Sequence, residues 1–340
     1  MTIGVAILGG GFMGQTHAAA WSALPGRARV VCVSSRSLAK AQAVAQACGA
    51  AASDDLFAPI AAPGVDVVDV CLPTPLHREA VERAFAAGKD VLLEKPIALT
   101  VADAEAIIQA AEVAGRRLMV GLVLRFWPEY EELRRVVASG ELGAPLAASA
   151  VRLSPPPGWN DWMIDMAQSG GVAIDLKTHD FDTLGAILGE PRRVTARAAP
   201  AAPGEAPQQA FAVVEHEHGS ASVEGSLLQP GSFPFTSDLR VLCERGAVHY
   251  PFSAAPAADG GNIGGVDQAA NRLRVFPTAG ETRLVEVASA DPWARQVAAL
   301  ADLIERGAQP SEATGPQALS ALRVGLAANR SIASGRTEEI

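Results

Sequence analysis

Short apolar runs alternate with segments of helical periodicity over the first 122 residues. The apolar runs are IGVAIL, VVCV, VDVVDVCL, DVLL and LMVGL, and the helical segments between them span 12–23, 37–48, 76–87 and 100–114. Strands joined by helical crossovers form a parallel sheet that is covered on both faces. The alternation therefore predicts an α/β fold, with a doubly wound parallel sheet in an N-terminal domain over residues 1–122.

The pattern changes after residue 122, because strand-like runs follow one another without helices between them. Helical stretches are predicted at 128–138, 171–188, 292–307 and 315–334, and strands near 145–153, 192–199, 209–217, 220–228, 238–250 and 271–287. Successive strands of this kind pair antiparallel. Residues 123–340 are thus predicted to form a C-terminal α+β domain with a large, mostly antiparallel open sheet, and the Ala/Gly-rich segment 253–269 a mobile loop.

Composition excludes several classes of protein. The net charge of −9 lacks the clustered Lys and Arg that nucleic acid requires, so no nucleic-acid partner is expected. The four cysteines are widely spaced and form no CxxC pair, which is typical of reduced thiols. Four glycines interrupt the uncharged N-terminal run, which therefore fits neither a signal peptide nor a membrane span. We expect a cytoplasmic protein without a membrane partner.

The segment AILGGGFMGQTH places Gly9-x-Gly11-x-x-Gly14 directly after the first strand and at the start of a helix. In this setting the first glycine allows a tight turn, the second lets a pyrophosphate approach the backbone, and the third lets the helix pack on the strand. The motif indicates a dinucleotide-binding Rossmann domain. The residues expected to bind the cofactor here are Gly9, Gly11, Phe12, Met13 and Gly14.

The second strand ends in Ser34-Ser35-Arg36, where NAD-binding domains carry an acidic residue for the ribose 2′-hydroxyl. A carboxylate would repel a 2′-phosphate, whereas hydroxyl groups and a guanidinium would bind one. Lys40, one helical turn further on, could add a second positive charge. This corner predicts NADP as the preferred cofactor. The alternative is that Arg36 is a solvated surface residue and that NAD is also accepted.

The third and fourth strands end in CLPTPLH and LLEKPIALT, and doubly wound sheets bind their ligands at these carboxyl ends. Lys95 is one of only four lysines, and a lysine placed there could meet a substrate hydroxyl. His77 is expected either near the cofactor or as the cap of the next helix. The residues expected to border the cofactor at these two ends are Leu72, Pro73, Thr74, His77, Glu94 and Lys95.

Several segments together resemble the glucose-fructose oxidoreductase, inositol dehydrogenase and rhizopine catabolism (Gfo/Idh/MocA) family. They are GGGFMG, TPLH at 74–77, Glu94-Lys95-Pro96, LRFWPEYEELRRVVASGELG at 124–143, and GGVAIDLKTHDFDTLGAILGE at 170–190. The resemblance covers essentially the whole chain in the correct order. It implies hydride transfer between a nicotinamide and a sugar, polyol or related cyclic alcohol, and a homodimer or homotetramer formed through the C-terminal sheet.

The resemblance also implies roles for individual residues. Lys95 would contact the reacting hydroxyl, His179 would accept or donate its proton, and Asp175 would position both substrate and histidine. Pro96 matches a proline that is often cis, and Arg125 matches a position near the active site.

The residues alone support part of this assignment. Asp175 and His179 are four apart in a helical pattern that follows Gly170-Gly171, so they would share one face of a helix. An imidazole suits the proton of a secondary alcohol, and a lysine suits the developing alkoxide.

Aromatic and further histidine residues give weaker indications. Trp159 and Trp162 could form the floor of a sugar pocket or anchor a loop, and Trp162 is included among the substrate-binding residues with Lys95, Arg125, Asp175 and His179. His216 and His218 alternate along a strand, which we interpret as a solvated sheet face, and no metal site is predicted.

Two alternatives remain open at this point. A reductase for a trans-dihydrodiol or another non-sugar carbonyl would fit a more apolar pocket around Trp127, Trp159 and Trp162. A dinucleotide-sensing protein without turnover would have no chemical need for Lys95 and His179. The direction of the reaction does not follow from the sequence, because alcohol oxidation and ketone reduction share one path.

Overall fold

The computed structural model describes residues 2–156, 161–202, 205–255, 265–267 and 269–340. The chain forms two compact units, one of Met1–Trp127 with Ala290–Leu319 and one of Pro128–Ser289 with Ser320–Ile340. The sequence predicts instead a single division after residue 122, with the segment 290–319 in the second domain. Trp159 and most of the 253–269 segment lie outside the described residues.

The helices begin and end close to the positions that the sequence predicts, except for the short helix at Met166–Ser169, which was not predicted, and the helix that begins at Thr178, which is discussed below. In chain order they are α1 (Phe12–Ser22), α2 (Leu38–Cys48), α3 (His77–Ala86), α4 (Val101–Ala114), α5 (Pro128–Ala138), α6 (Met166–Ser169), α7 (Thr178–Leu188), α8 (Pro292–Arg306) and α9 (Gly315–Ser334).

The first unit is built on a six-stranded sheet in which every neighbouring pair is parallel. Its strands are β1 (Ile3–Leu8), β2 (Ala28–Ser34), β3 (Ala51–Ser53), β4 (Val67–Val70), β5 (Asp90–Leu93) and β6 (Leu118–Val120). The order β3-β2-β1-β4-β5-β6 is that of a doubly wound Rossmann sheet. All residues of β1, β4 and β5 are buried, as expected for central strands with both faces covered.

The second unit is built on a nine-stranded sheet of order β14-β13-β12-β11-β7-β10-β9-β8-β15. Its strands are β7 (Pro145–Leu153), β8 (Pro191–Ala198), β9 (Gln209–His216), β10 (Gly219–Ser226), β11 (Phe235–Cys243), β12 (Gly246–Ala254), β13 (Leu273–Pro277), β14 (Arg283–Val285) and β15 (Glu338–Glu339). The pair β7 and β10 is parallel, and the other neighbouring pairs are antiparallel. The predicted fold class is confirmed.

Three predicted segments differ from the observed elements. The segment 238–250 is two strands, because Cys243 pairs with Gly246 around a tight turn at Glu244-Arg245. The segment 271–287 is likewise divided into β13 and β14. The helix predicted at 171–188 begins only at Thr178, and the residues before it form successive turns.

Among the helices of the described residues, none combines the length and the apolar character that crossing a bilayer would require.

Candidate cofactor and catalytic site

The carboxyl ends of four strands in the first sheet are in register. Leu8 pairs with Ser34 of β2 and with Val70 of β4, and Val70 pairs with Leu93 of β5. The segments that follow these residues are 9–14, 35–40, 71–77 and 94–96. The structure therefore brings the predicted cofactor-binding residues to one edge of one sheet.

The glycine loop after β1 has the geometry of a pyrophosphate site. Gly9 has φ +117°, and a Cβ there would lie 2.3 Å from the carbonyl oxygen of Cys71. A Cβ at Gly14 would lie 1.8 Å from the oxygen of Gly9, so α1 can pack this closely only with glycine at that position. At Gly11, no heavy atom of the described residues lies within 4 Å of an added Cβ.

No side chain caps the start of α1. Gly11 is the N-cap residue of α1 and has no side chain that could accept a hydrogen bond from the first turn. Phe12 is exposed and Met13 is half-buried beside it. An open approach at Gly11 and an uncapped helix N-terminus fit the phosphates of a dinucleotide.

Four residues were predicted to bind the cofactor at the corner after β2. One of them is fully buried, and the other three are accessible. Ser34 is fully buried, and its hydroxyl donates to the carbonyl oxygen of Leu56 at 2.8 Å. Ser35 is half-buried, whereas Arg36 and Lys40 are exposed. The hydroxyl proton of Ser34 is thus used within the fold, which leaves Ser35, Arg36 and Lys40 as the accessible polar groups.

The segment after β4 is ordered by His77. Leu72, Thr74 and His77 are buried and Pro73 is half-buried. His77 is the first residue of α3, with Nε2 at 2.8 Å from the carbonyl oxygen of Leu72 and Nδ1 at 3.0 Å from that of Pro96. Burial lowers the pKa of His77, although these carbonyl contacts oppose the effect. Its side chain therefore joins the segments that follow β4 and β5.

Lys95 lies in the segment after β5, between Glu94 and Pro96. Lys95 is half-buried, and the peptide bond to Pro96 is cis. Glu94 is buried, and its Oε2 accepts a hydrogen bond from the backbone nitrogen of Lys95 at 3.1 Å.

Arg125 and Trp162 belong to different units. Arg125 is buried in the first unit, where its Nη1 lies 2.6 Å from Oε2 of Glu312. Trp162 is half-buried in a short 3-10 turn of the second unit (Asp161–Ile164).

Asp175 and His179 lie in the second unit, but not on one regular helix as predicted. Asp175 is buried in the turns that precede α7, and half-buried His179 is the second residue of that helix. The backbone nitrogen of Lys177 donates to the oxygen of Val172, five residues earlier, so the chain is wound more widely here than in an α-helix. The prediction of a continuous helix from residue 171 is therefore wrong.

A buried ionic cluster, which the sequence did not predict, lies at the start of α7. Arg152 donates two hydrogen bonds to Asp180 at 2.9 Å each, and Nζ of Lys177 lies 2.7 Å from Asp180. Lys177 also donates to the backbone oxygen of Glu224 at 2.8 Å. Burial lowers the pKa of Lys177 to about 8, although Asp180 opposes the shift.

A second polar cluster lies in the first unit, around Asp69 of β4. The carboxylate is fully buried, and both oxygens lie 2.9 Å from Nδ1 of His17. Trp21 donates to it at 2.7 Å, and Cys71 lies 3.4 Å from it. The one signal of this cluster in the sequence is an aspartate inside the apolar run VDVVDVCL.

His216 corrects a prediction, because it does not lie on a solvated sheet face. It is buried, and its Nδ1 lies 2.9 Å from the carbonyl oxygen of Gly189. His218 is exposed and lies in the turn between β9 and β10.

The fold and the geometry of the first unit define a dinucleotide-binding domain of the kind found in nicotinamide-dependent oxidoreductases. The model of the oxidoreductase family with an NAD-binding Rossmann fold, GFO_IDH_MocA, matches residues 3–122. The model of the GFO/IDH/MocA C-terminal domain matches residues 130–249. The chain belongs to the Gfo/Idh/MocA family of oxidoreductases, and the resemblance deduced from the sequence is confirmed.

Individual relatives have been given more specific names. The chain is 32% identical over 253 residues to inositol 2-dehydrogenase of Streptomyces avermitilis, covering 72% of this chain and 71% of that protein. It is 30% identical over 294 residues to 1,5-anhydro-D-fructose reductase of Ensifer adhaerens, covering 82% and 80%. The crystal structure of aldose-aldose oxidoreductase from Caulobacter crescentus, complexed with glycerol, has a TM-score of 0.84 at 25% identity and covers all of both chains.

Proposed function

We propose that the protein transfers hydride between a nicotinamide cofactor, NADP in preference to NAD, and a secondary alcohol or ketone of a sugar, sugar derivative or cyclitol. The observation that carries this proposal is the register of the first sheet. It aligns the glycine loop, the Arg36 corner and Lys95 at one edge. The names of the relatives, which refer to a cyclitol, an anhydro sugar and aldoses, support the substrate class.

The preference for NADP is supported by the side chains after β2. Ser35 and the exposed guanidinium of Arg36 would bind a 2′-phosphate through charge-assisted hydrogen bonds. The nearest carboxylates along the chain, Asp54 and Asp55, follow β3, and Asp55 accepts backbone hydrogen bonds from Phe57 and Ala58. The competing possibility is that the corner tolerates NAD as well, as the description of the family allows.

We assign the chemical roles to Lys95, Asp175 and His179. A bound nicotinamide accepts or donates the hydride. His179 would take the hydroxyl proton during oxidation or return it during reduction, and Lys95 would stabilise the charge that develops on the oxygen. Asp175 would hold substrate and histidine in place, with Arg125 and Trp162 as further substrate-binding residues.

A reductase of a non-sugar carbonyl is the alternative within the same family. One relative is named 1,5-anhydro-D-fructose reductase, which favours including ketone reduction among the proposed activities. A cytoplasmic location and a homodimer or homotetramer formed through the nine-stranded sheet complete the proposal. None of these assigned roles requires a metal ion.

The proposal is tested by measuring nicotinamide absorbance with purified protein. The panel contains inositols, aldoses, 1,5-anhydro-D-fructose and a trans-dihydrodiol, each with NADP(H) and with NAD(H) in the appropriate direction. Lys95→Ala provides the blank, after circular dichroism has confirmed that it is folded. We expect turnover with NADP(H) and one polyol or sugar class, and a loss of at least about 100-fold in kcat for Lys95→Ala.

Two outcomes would contradict the proposal. Turnover that persists in Lys95→Ala would remove the role of that residue. Tight binding of NADPH without turnover on any member would favour the sensing protein instead.

A further inference from the structure

Asp69 places a carboxylate inside the central region of a parallel sheet, where strands are normally apolar. A buried carboxylate is costly unless it is paired and hydrogen-bonded. Here the partners come from α1: His17 through Nδ1 and Trp21 through Nε1. The glycine loop and helix that we assign to the cofactor thus also carry the partners of this charge.

His17 continues the chain of contacts beyond Asp69. Its Nε2 lies 3.1 Å from Oε1 of Glu94, and the imidazole itself is 1% exposed. Nε2 makes no hydrogen bond among the described residues, so its approach to Glu94 is a charge contact. A ring lying this close to two carboxylates is stabilised in its positively charged form.

The charges around His17 agree with this geometry. Burial is the largest single effect and lowers the pKa of His17, but the contacts with Asp69 and Cys71 together outweigh it and leave that pKa well above its usual value. The ionisable groups that face the ring are Asp69 and Cys71, which end β4, and Glu94, which follows β5. Burial raises the pKa of the Cys71 thiol, which therefore stays neutral.

Glu94 is confined by Gly121 as well as by His17. A Cβ at Gly121 would lie 2.8 Å from Oε1 of Glu94, so the carboxylate has a wall there that only glycine allows. Its other oxygen accepts the backbone N–H of Lys95. The contacts thus run without interruption from Asp69 through His17 and Glu94 to the backbone of Lys95.

We infer that His17, held between Asp69 and Glu94, is a positioning residue that fixes the Lys95 backbone for the reaction. The inference rests on the proposed function, in which Lys95 contacts the reacting oxygen. Removing the charge of His17 would release Glu94 and loosen Lys95 while leaving the glycine loop and the Arg36 corner unchanged. A shift of this kind would reduce kcat more than cofactor affinity.

The test compares His17→Gln with His216→Gln, a matched variant. Both remove a buried histidine, and His216 contacts Gly189, the C-cap residue of α7, whereas His179 lies in the first turn of that helix. We expect His17→Gln to lower kcat about 10- to 100-fold with the Kd for NADPH changed less than about twofold, and His216→Gln to leave kcat unchanged.

The Asp69→Asn variant is used to measure the pH dependence of kcat. That dependence would not change if His17 had only a structural role. Without the Asp69 charge, burial should bring the pKa of His17 down, so His17 loses its proton as the pH rises through the lowered value. The variant should therefore lose kcat on the alkaline side over a pH range in which wild type stays level. A profile parallel to that of wild type would overturn the inference.

Nuclear magnetic resonance tests the inference without enzyme turnover. The inference can therefore fail or succeed separately from the proposed function. Selective ¹⁵N-lysine labelling gives four backbone amide signals, for Lys40, Lys89, Lys95 and Lys177. His17→Gln should shift the Lys95 amide and speed its hydrogen exchange, and His216→Gln should not.

A second arm uses the wild-type protein alone and remains informative if the variants do not fold. In ¹⁵N-histidine spectra, one of the six histidines should keep both ring protons at pH 8. The inference is overturned if the Lys95 amide responds equally in both variants, or if no histidine is doubly protonated at that pH.

Discussion

Arg36 stands at the position where a Rossmann domain distinguishes the two nicotinamide cofactors. Its side chain is exposed directly after β2, and Ser37 uses its own hydroxyl to accept from the backbone nitrogen of Lys40. Ser34 and Ser37 therefore stabilise the corner itself, while Ser35, Arg36 and Lys40 are accessible to a ligand. At the residue scale, the proposed preference for NADP depends chiefly on a single guanidinium.

Arg36→Ala should weaken NADPH binding about 10- to 100-fold, because one charge-assisted hydrogen bond contributes roughly 1.5–3 kcal/mol. Binding of NADH should change less than about twofold, since NADH has no 2′-phosphate. The measurement is fluorescence titration with each cofactor. Arg116→Ala, another exposed arginine, is the control and should change neither affinity. Equal losses for the two cofactors would contradict the assignment of this corner to a 2′-phosphate.

At the scale of elements, the sequence is sufficient to predict a helix or strand where local signals mark both of its ends. Helix α4 was predicted over 100–114 and observed as Val101–Ala114, because Thr100 caps its first turn and Gly115 ends it in the left-handed conformation. Helix α5 and strand β7 were predicted to the residue. The glycine loop was recognisable because its glycines are required by contacts within one strand-turn-helix unit.

Elements determined by distant contacts could not be predicted in the same way. The start of α7 depends on Lys177 reaching Asp180 and the Glu224 carbonyl, and Glu224 is about 50 residues further along the chain. The turn at Glu244-Arg245 lacks the Asn-Gly or Asp-Gly signal of a two-residue hairpin, so two strands looked like one. The partners of Asp69 come from a helix about 50 residues earlier and have no local signature either.

The cluster of Arg152, Asp180 and Lys177 ties three elements of the second unit together. Arg152 lies in β7, Asp180 in α7, and the Lys177 ammonium contacts the backbone of β10. Burial would raise the pKa of Asp180, but Arg152 and Lys177 outweigh it and hold that pKa well below the usual value. The stabilisation from this carboxylate is therefore present above the ordinary Asp pKa and is lost as the pH falls through the lowered native value.

Asp180→Asn should reduce the free energy of unfolding at pH 7 by about 3–5 kcal/mol, because it leaves two buried cations without a counter-charge. Lys177→Met is the matched variant and should cost less than about 1.5 kcal/mol, since Arg152 still neutralises Asp180 and the apolar volume is kept. Urea denaturation at pH 7 and at acidic pH measures both. The prediction fails if the two variants are equally destabilised, or if Asp180→Asn keeps the full acid sensitivity of wild type.

At the scale of the whole molecule, the nine-stranded sheet has one face that helices cover and one that is open. Helix α7 packs on β7 and β10, and α5 packs on β12. On the open face, Phe211 and Val213 of β9 are 53% and 51% exposed. We propose that the homo-oligomer forms through this face, because exposed apolar side chains there would be buried by a partner.

Val213→Glu should convert the oligomer into a monomer, because it places a charge in the proposed apolar contact. Size-exclusion chromatography with light scattering measures the mass. Val113→Glu is the control, since Val113 is 82% exposed on α4 of the first unit and the substitution is identical. A monomeric wild type, or an unchanged mass for Val213→Glu, would contradict assembly through this face.

The position of β7 in its sheet bears on the order in which the chain assembles during synthesis. Its neighbours are β10 and β11, which begin about 75 and 90 residues further along the chain. A strand whose partners are so distant must wait for long loops to close, and such sheets form slowly. As the chain leaves the ribosome, β7 has both edges unpaired until residues near 226 have been made, and one edge unpaired until residues near 243 have been made. The first Rossmann strands can pair earlier, so during this interval a growing chain would carry a nearly complete cofactor domain followed by an exposed strand, which is open to association with other chains.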